Sequence, residues 1–280
     1  MIDLHSHTTR SDGTLEPGLL VLLAAERGLE ALAVTDHDTT VGLAEARETG
    51  ERVGVEVIDG CEVSTRIPEG NVHLLAYGFD PEDPRLQALL AGVRQDRVRR
   101  NRAILDRFRT LGIKLTVDEV ARHARGVIVA RPHFAQALLE RGVIAQLHEA
   151  YTRYLSDDGP AYVPAETVHP AKAIAVVKAA GGVTSVAHPR QLRLGGFDAH
   201  AACLSGLVDA GLDGLEVEHP SHRPADRALF RALCEHFDLV PTGGSDFHGA
   251  NKPRIALGHG DGTIHVPYET WERLRARRRP

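Results

Sequence analysis

The chain has 280 residues, 42% hydrophobic and 25% charged, which is long enough for one large domain with a substantial core. It contains no run of about 18 apolar residues, and a strand-like segment begins at position 2, so we expect neither a membrane span nor a signal peptide. A cytoplasmic protein is the expectation. The three cysteines are widely spaced among apolar neighbours, which argues against a disulfide framework or a thiolate metal site.

The net charge of −5 is unevenly distributed along the chain. Residues 90–160 carry 13 Lys and Arg against 8 Asp and Glu, whereas the remaining residues carry 20 against 30. Acidic residues gathered around divalent ions would lose much of that charge, which leaves the basic middle segment as the part suited to an anionic ligand. The alternative, for any single arginine in this segment, is a solvated helix face.

The first 90 residues alternate between strand-like and helical patterns. Apolar, β-branched runs predict strands, and segments that open with proline or close with glycine predict helices. In chain order the predicted elements are strand 1–5, helix 17–28, strand 31–35, helix 41–53, strand 55–63 and strand 72–77.

After Pro84, apolar residues recur at helical spacing on an arginine-rich chain. Shorter helices are predicted at 117–123, 132–141 and 144–155, and a strand at 161–163. Alternation then resumes with helices at 171–180, 201–210 and 224–237 and strands at 183–187, 214–217 and 239–241. The pattern favours an α/β fold with a parallel sheet, barrel-like or doubly wound, built from residues 1–90 and 160–280. We interpret residues 91–159 as a helical insertion or cap.

Nine potential metal ligands lie within or at the ends of the predicted strands: His5, His7, Asp12, His37, Glu62, His73, His188, Asp246 and His248. His5 and His7 are two residues apart on an extended segment, so both imidazoles project to the same face. Asp12 lies in a Ser-Asp-Gly turn that can fold its carboxylate back toward them. Because the carboxyl ends of parallel strands form the active-site face of β/α folds, we expect all nine side chains to converge there.

Imidazole and carboxylate ligands without thiolate suit manganese, iron or zinc ions that keep open coordination positions. Nine ligands are too many for one ion and could serve three if one carboxylate bridges, and Glu62 is the candidate bridge. Each residue taken alone has an ordinary structural alternative, such as capping a turn or pairing with a neighbouring charge. Their joint placement at strand ends favours a multinuclear metal site.

Four segments carry a resemblance to a known family: MIDLHSHTTRSDGT at 1–14, AVTDHDTT at 33–40, VAHP at 186–189 and GSDFH at 244–248. They resemble the motifs of the polymerase-and-histidinol-phosphatase (PHP) family of metal-dependent phosphoesterases. The resemblance implies a distorted (β/α)7 barrel with a trinuclear metal site. It implies three ligand sets: His5, His7, Glu62 and Asp246 for the first ion; Glu62, His73 and His188 for the second; Asp12, His37 and His248 for the third.

Within that family the chain is most similar to the branch that hydrolyses 3′,5′-nucleoside bisphosphates and trims RNA from a 5′ phosphate. This resemblance rests on TDHDTTVGL at 35–43, ARPHF at 130–134, AYVP at 161–164 and the helical insertion. It implies removal of the 3′-phosphate from a nucleotide such as pAp, giving the 5′-monophosphate, when a hydroxide shared by two ions attacks phosphorus. The expected cofactors are three divalent ions per chain, manganese first, with iron or zinc as alternatives.

Six further residues are expected to bind the substrate: Arg131, His133, Tyr162, Arg190, Ser221 and His222. Arg131 and His133 flank Pro132, which suits the first turn of a helix, where free N–H groups attract anions. Ser221 and His222 precede Pro224 in the same manner. His133 or His222 could supply the proton that the leaving alkoxide requires. Capping, surface or core positions are the alternatives for these residues.

Several other functions remain open at this point. The first is a 5′-to-3′ exoribonuclease acting on short 5′-phosphorylated RNA, and the second is a histidinol-phosphate phosphatase. A metal-dependent amidohydrolase also opens with His-x-His, but its usual strand-end lysine has no counterpart here. The non-enzymatic alternative is a nucleotide- or RNA-binding module with a structural metal. We expect a small phosphorylated nucleotide, or short RNA, as the partner, and neither DNA nor a membrane.

Overall fold

A computed structural model of the chain describes residues 1–124, 128–156 and 158–278. Its centre is a seven-stranded sheet whose strands neighbour one another in chain order. They are β1 (Ile2–Asp3), β2 (Ala31–Val34), β3 (Glu56–Ile67), β4 (Gly70–Tyr77), β5 (Val183–Val186), β6 (Gly214–Glu218) and β7 (Val240–Gly243). Backbone bonds from Leu4 N to Gly243 O and from Asp246 N to His5 O join the two outer strands. The sheet is therefore a nearly closed barrel, and the expected (β/α)7 architecture is confirmed.

One strand runs against the expected direction. β4 is antiparallel to both β3 and β5, whereas every other neighbouring pair is parallel. The prediction of a parallel sheet is wrong at this strand because only a tight turn separates β3 from β4, and a hairpin has no room for the crossover that parallel strands need. β4 therefore starts at the barrel end where the parallel strands finish. His73, near its start, reaches the same end as the other candidate ligands.

The helices surround the barrel and form the middle segment. They are α1 (Pro17–Glu26), α2 (Leu43–Val53), α3 (Pro84–Thr110), α4 (Val117–Ala121), α5 (Arg131–Glu140), α6 (Leu147–Ala150), α7 (Pro170–Ala179), α8 (Gly196–Asp209), α9 (Pro224–Phe237) and α10 (Glu269–Arg275). A π-helical turn (Tyr151–Leu155) continues α6, and short 3₁₀ turns cover Pro189–Leu192 and Gly249–Asn251. The strand predicted at 161–163 is wrong. Those residues form a turn and coil, and Ala161 packs into the core of the middle segment.

The middle segment has its own hydrophobic cluster, joined to the barrel by α3. Leu86 and Leu90 at the start of α3 belong to the barrel core. Farther along the same helix, Ile104 and Phe108 pack with Phe134 of α5 in the separate cluster. The predicted boundary at residue 91 thus falls inside one continuous helix, which joins the middle segment to the barrel without a break. Among the described residues, no helix combines the length and the apolar character needed to cross a membrane.

Asp3 links the first strand of the barrel to the segments that follow the last strand. Its buried carboxylate accepts hydrogen bonds from the backbone N–H groups of His5 (3.1 Å), Ser245 (2.9 Å) and Gly258 (2.7 Å), and from Ser245 Oγ (2.5 Å). An asparagine offers one acceptor oxygen and directs an NH2 group at donors, so some buried donors lose their partner. We expect Asp3→Asn to lower the free energy of unfolding of the metal-free protein by about 3 kcal/mol in urea denaturation.

Asp261→Asn is the matched control for this barrel-closure prediction. Asp261 is exposed, and its partner among the described residues is the neighbouring Thr263. Its replacement should change the free energy of unfolding by less than about 0.5 kcal/mol. Equal stability of the two variants would contradict the role given to Asp3.

Candidate metal centre

The structure brings all nine predicted ligands together at one end of the barrel. His5 and His7 follow β1, His37 follows β2, and His188 follows β5, while Asp246 and His248 follow β7 and Asp12 lies in the first loop. Glu62 and His73 lie inside β3 and β4 rather than after them, because β3 extends past its last pairing with β2 and continues against β4. Eight of the nine residues are buried, and His73 is partly exposed.

Glu62 stands at the centre of the cluster. Its carboxylate contacts imidazole nitrogens of five histidines: His5, His7, His37, His73 and His188. Oε2 lies 3.1 Å from Nδ1 of His37 and 3.2 Å from Nε2 of His7. Oε1 lies 2.7 Å from Nδ1 of His73. One carboxylate thus presents its two oxygens to two different groups of histidines, as a bridging ligand must.

Asp12 and Asp246 flank Glu62 on the side of the first and last loops. Asp12 Oδ1 is 3.2 Å from Nε2 of His248, and its Oδ2 is 3.7 Å from Nε2 of His37. Asp246 Oδ1 is 3.4 Å from Nε2 of His7 and 3.5 Å from Nε2 of His5. Among the described residues, five groups of side chains have ligand atoms close enough to share an ion: His7-Asp12-His37-His248, His5-Glu62-His188, His5-His7-Asp246, His37-Glu62-His73 and His5-Glu216-His219.

Four of these groups share at least two residues with the ligand sets that the family resemblance implies, and His5, His7 and Asp246 of the first set stay together. Asp12, His37 and His248 stay together, and His7 joins them. Glu62 contacts both His73 and His188, but each of those histidines groups with a different third residue. The overlaps arise because Glu62, His5 and His7 each belong to more than one group.

Buried carboxylates hold the loops that carry the cluster. Asp36 accepts hydrogen bonds from Thr8 N (2.8 Å) and Ser11 Oγ (2.6 Å), which fixes the turn that presents Asp12. Three residues at the site have positive φ although none is glycine: Asp38 (55°), His188 (29°) and Asp246 (53°). Such conformations cost free energy and persist where surrounding contacts enforce them, which is a common property of functional sites.

The charges within the cluster depend strongly on one another. Burial would raise the pKa of Glu62, yet the neighbouring histidines His37, His73 and His5 hold that pKa well below its usual range. Burial is the main reason that the pKa of His37 falls to about 3. Burial also opposes protonation of His7, but the carboxylates of Asp246 and Glu62, which contact its Nε2, raise its pKa to about 9. The cluster thus combines ionised carboxylates with imidazoles, some of which remain neutral.

The sequence interpretation missed three residues at this site. Glu216, in β6, contacts Nδ1 of His5 at 2.9 Å, and Nε2 of His219 lies 3.2 Å from Asp246. His219 could have been found, because His-Pro after a strand repeats the pattern at His188. Lys252 places Nζ 2.5 Å from Asp246 Oδ2, although it follows a 3₁₀ turn and no strand signal marks it.

A cavity of about 390 Å³ opens between the cluster and the middle segment. The cluster contributes Asp12, His37, Glu62, His73, His188, Asp246 and His248 to its wall. The opposite wall includes Arg97, Arg100, Arg131 and Tyr151. Arg97 is held in place because it donates to Asp38 Oδ2 (2.5 Å) and Ser64 Oγ (2.7 Å). The carboxylate and imidazole groups of the cluster thus face the guanidinium groups of the middle segment across the same cavity.

Of the six residues expected to bind substrate, only Arg131 lies in the described wall of this cavity. His133 is buried, and its Nδ1 accepts a hydrogen bond from Ala130 N (2.9 Å), so it caps α5. The Tyr162 ring lies beneath the guanidinium of Arg100, 5.8 Å from ring centre to Cζ.

The other three expected residues lie near β6 and α9. Arg190 forms an ion pair with Asp226 at 3.0 Å. Ser221 contacts Nδ1 of His219, and His222 Nδ1 bonds to the carbonyl of Val217 at 2.9 Å. Mainly because of burial, the pKa of His222 falls to about 4. These three residues are not part of the described cavity wall. Their side chains contact Asp226, His219 and Val217 instead.

Comparison with known proteins places the chain in a family. The pattern that defines the PHP domain matches residues 3–156. A 3′,5′-nucleoside bisphosphate phosphatase of Chromobacterium violaceum is 32% identical over 281 residues, covering 99% of this chain and 97% of the relative. A 5′-3′ exoribonuclease of Haemophilus influenzae is 34% identical, covering 88% of this chain and 89% of the relative.

Two further similarities complete the comparison. A phosphoribosyl 1,2-cyclic phosphate 1,2-diphosphodiesterase of Eggerthella lenta is 37% identical, covering 88% of this chain and 94% of the relative. The solved structure of an amidohydrolase from C. violaceum, with bound sulfate and no metal, superposes with a TM-score of 0.89 at 32% identity and covers 99% of this chain and 96% of the other. The chain belongs to the PHP domain family. Its class is that of the metal-dependent phosphoesterases.

Proposed function

We propose that the chain removes the 3′-phosphate from 3′,5′-bisphosphonucleotides such as pAp, with three divalent ions, manganese foremost, held by the nine clustered residues. The observation that carries this proposal is the single cavity that joins the cluster to the arginines of the middle segment. A bisphosphonucleotide carries two anionic groups on one small molecule. The cavity volume of about 390 Å³ lies within the range typical of small-molecule sites.

The donor set supports metal binding. Within the described part of the chain, Nε2 of His5, Nε2 of His7 and Nδ1 of His37 are buried and lie 3.1–3.4 Å from Glu62 Oε2, but none of them forms a hydrogen bond of normal geometry. Buried polar atoms normally have partners, so three such nitrogens around one carboxylate point to a missing ligand. Imidazole and carboxylate together suit manganese, iron or zinc.

The implied assignment gives each ion three or four residues. His5, His7, Glu62 and Asp246 would hold the first ion, Glu62, His73 and His188 the second, and Asp12, His37 and His248 the third. Divalent ions bound there would activate water at neutral pH and neutralise the phosphoryl oxygens. Because the residues of the cluster are buried, they would hold the ions and the phosphoryl group in a fixed orientation and keep bulk water away from them.

The second phosphate of the substrate would lie against the basic wall. Arg131 is the first residue of α5, where the helix dipole also favours an anion. Arg97 faces the same cavity with its guanidinium held by Asp38, so little side-chain entropy is lost when an anion binds. Lys252 adds a positive charge beside Asp246. Arg131 and Arg97 would bind and orient the phosphate that is not cleaved, whereas Lys252 would act at the metal cluster because its Nζ contacts Asp246.

Phosphate release from a small substrate panel tests the proposal. Purified protein with manganese should release phosphate from pAp faster than from histidinol phosphate. Nucleotide production from short 5′-phosphorylated RNA and opening of a phosphoribosyl cyclic phosphate should be measured on the same preparation. No phosphate release from pAp, together with turnover of histidinol phosphate, would contradict the assignment.

A 5′-to-3′ exoribonuclease is the second candidate, favoured by the relative from H. influenzae. Its substrate also carries a 5′ phosphate that the basic wall could bind. The arginines on α3 would contact the RNA backbone, which makes binding sensitive to salt. Release of mononucleotides from 5′-phosphorylated oligomers, compared with their 5′-hydroxyl counterparts, tests this activity.

Arg131→Ala is expected to raise KM for pAp by about 10- to 100-fold, because a charged hydrogen-bonding partner of the uncleaved phosphate is lost. The kcat should change little, since the cleaved phosphate lies at the metal cluster. Steady-state kinetics of phosphate release measure both. Arg141→Ala is the control, because Arg141 follows the other end of α5, is exposed and pairs with Glu119 at 2.5 Å. An unchanged KM in Arg131→Ala would remove this residue from the phosphate site.

A further inference from the structure

Glu216 is a buried carboxylate that the proposed reaction does not use. It lies in β6 with no exposed surface, and it lines no part of the cavity among the residues that the structure describes. Burying a charged carboxylate is costly unless hydrogen bonds and nearby charges compensate. Its two oxygens do have partners, and both partners belong to candidate ligands of the proposed metal centre.

The first partner is the ring of His5. Glu216 Oε1 is 2.9 Å from Nδ1 of His5. An ionised carboxylate can only accept, so Nδ1 must carry the proton that joins the two groups. In the neutral ring the other nitrogen, Nε2, is then unprotonated and able to bind an ion. That nitrogen faces Glu62 at 3.4 Å and Asp246 at 3.5 Å.

The second partner is the backbone of His188. Glu216 Oε2 accepts a hydrogen bond from His188 N at 2.6 Å. His188 has a φ of 29°, which a side-chain-bearing residue rarely adopts. Its Nε2 lies 3.0 Å from Glu62 Oε1. The same carboxylate therefore fixes the tautomer of one histidine and the backbone of another, and these two histidines contact different oxygens of Glu62.

We propose that Glu216 is a positioning residue of the metal centre, which sets the metal-facing nitrogen of His5 and anchors the strained backbone of His188. This inference rests on the proposed metal site. Although Glu216 groups with His5 and His219, it meets His5 at Nδ1 and not at Nε2, the nitrogen that faces Glu62 and Asp246, so we assign it no contact with an ion. The burial of Glu216 is then explained by function, since its oxygens serve two ligands that come from different strands.

Glu216→Gln tests this role because glutamine keeps the shape but has one acceptor oxygen and one NH2 donor. If the NH2 group faces His188 N, two donors oppose each other and the strained backbone loses its anchor. If it faces His5, Nδ1 must accept, and the proton moves to Nε2, which can then no longer bind an ion. Either arrangement harms one candidate ligand.

The experiment measures manganese affinity by competition with a chelator, together with metal content after dialysis. Glu216→Gln should weaken affinity for at least one ion by about 10- to 100-fold. Glu218→Gln is the matched control, because Glu218 is on the same strand but pairs with Arg227 and Arg231 of α9. Its affinity should equal that of the wild type. Wild-type affinity in Glu216→Gln would overturn the inference.

Two further measurements separate the possible failures. If the wild-type protein binds no divalent ion, the proposed function fails as well. If metal-free Glu216→Gln melts far below the metal-free wild type, Glu216→Asp replaces it. Aspartate keeps the charge but is one methylene too short to reach both partners, so its metal affinity should also fall, and wild-type affinity would overturn the inference.

Diffraction from manganese-loaded crystals at the metal absorption edge completes the test. Every ion should lie beyond coordination distance of the Glu216 oxygens. An ion about 2.0–2.6 Å from either oxygen would make Glu216 a ligand and overturn its positioning role.

Discussion

Glu62→Gln is expected to lower kcat/KM for pAp by about 1,000-fold, equivalent to about 4 kcal/mol of transition-state stabilisation. The reason is the central place of this carboxylate, whose two oxygens contact imidazole nitrogens of five histidines. Glutamine has only one carbonyl oxygen in place of the two carboxylate oxygens. Its NH2 group would point at imidazole nitrogens that are expected to coordinate an ion. Metal content should fall together with activity, measured by mass spectrometry on the dialysed protein.

Glu69→Gln is the control for this prediction. Glu69 is exposed in the turn that joins β3 to β4. The control therefore makes the same chemical change in the same hairpin but outside the cluster. Its activity and metal content should match those of the wild type. If Glu62→Gln kept full activity while its metal content fell, the cluster would be a structural metal site.

The strand-end histidines could be predicted because chain direction places them. In parallel β/α units every strand finishes at the same face, so His5, His37 and His188 converge without knowledge of any side-chain contact. His73 converges for another reason, the reversal of β4. The sequence prediction placed it at the right end of the barrel through the wrong strand direction.

Residues behind the ligands were harder to predict. In the sequence, Glu216 is a polar residue in a short, otherwise apolar strand. Its sequence neighbours do not distinguish it from Glu218, which faces outward on the same strand. Its role depends on a contact across 211 residues with His5. A β-bulge between Glu216 and Glu218 disturbs the alternation that would otherwise place both side chains on one face.

The residues that were expected to bind substrate show the same limit more clearly. Helix-start chemistry correctly marked the N-terminus of α5, and Arg131 does face the cavity there. His133, two residues farther along, turns back to cap that helix, a competing use of the same local pattern. Arg97 and Lys252 reach the cavity through tertiary packing of α3 and of the loop after β7, which spacing along the chain does not reveal.

Removal of divalent ions is expected to abolish phosphate release and to lower the melting temperature by about 5–10 °C. An ion present at 100 times its dissociation constant stabilises the folded state by about 2.7 kcal/mol, and each kcal/mol shifts the melting temperature by about 2–4 °C in a domain of this size class. The physical reason is that buried imidazole nitrogens of His5, His7 and His37 form no hydrogen bond of normal geometry within the described chain, so a bound ion would supply the partner that they need.

Readdition of manganese should restore both activity and melting temperature, with three ions per chain at saturation. Calcium should restore less, because it prefers oxygen ligands and six of the nine clustered residues are histidines. Calorimetry and phosphate release are measured on the same chelated sample, so that loss of fold and loss of chemistry are separated. A chelated protein with an unchanged melting temperature that still cleaves pAp would contradict metal dependence. Saturation at one ion per chain would contradict the role of Glu62 as a bridging ligand.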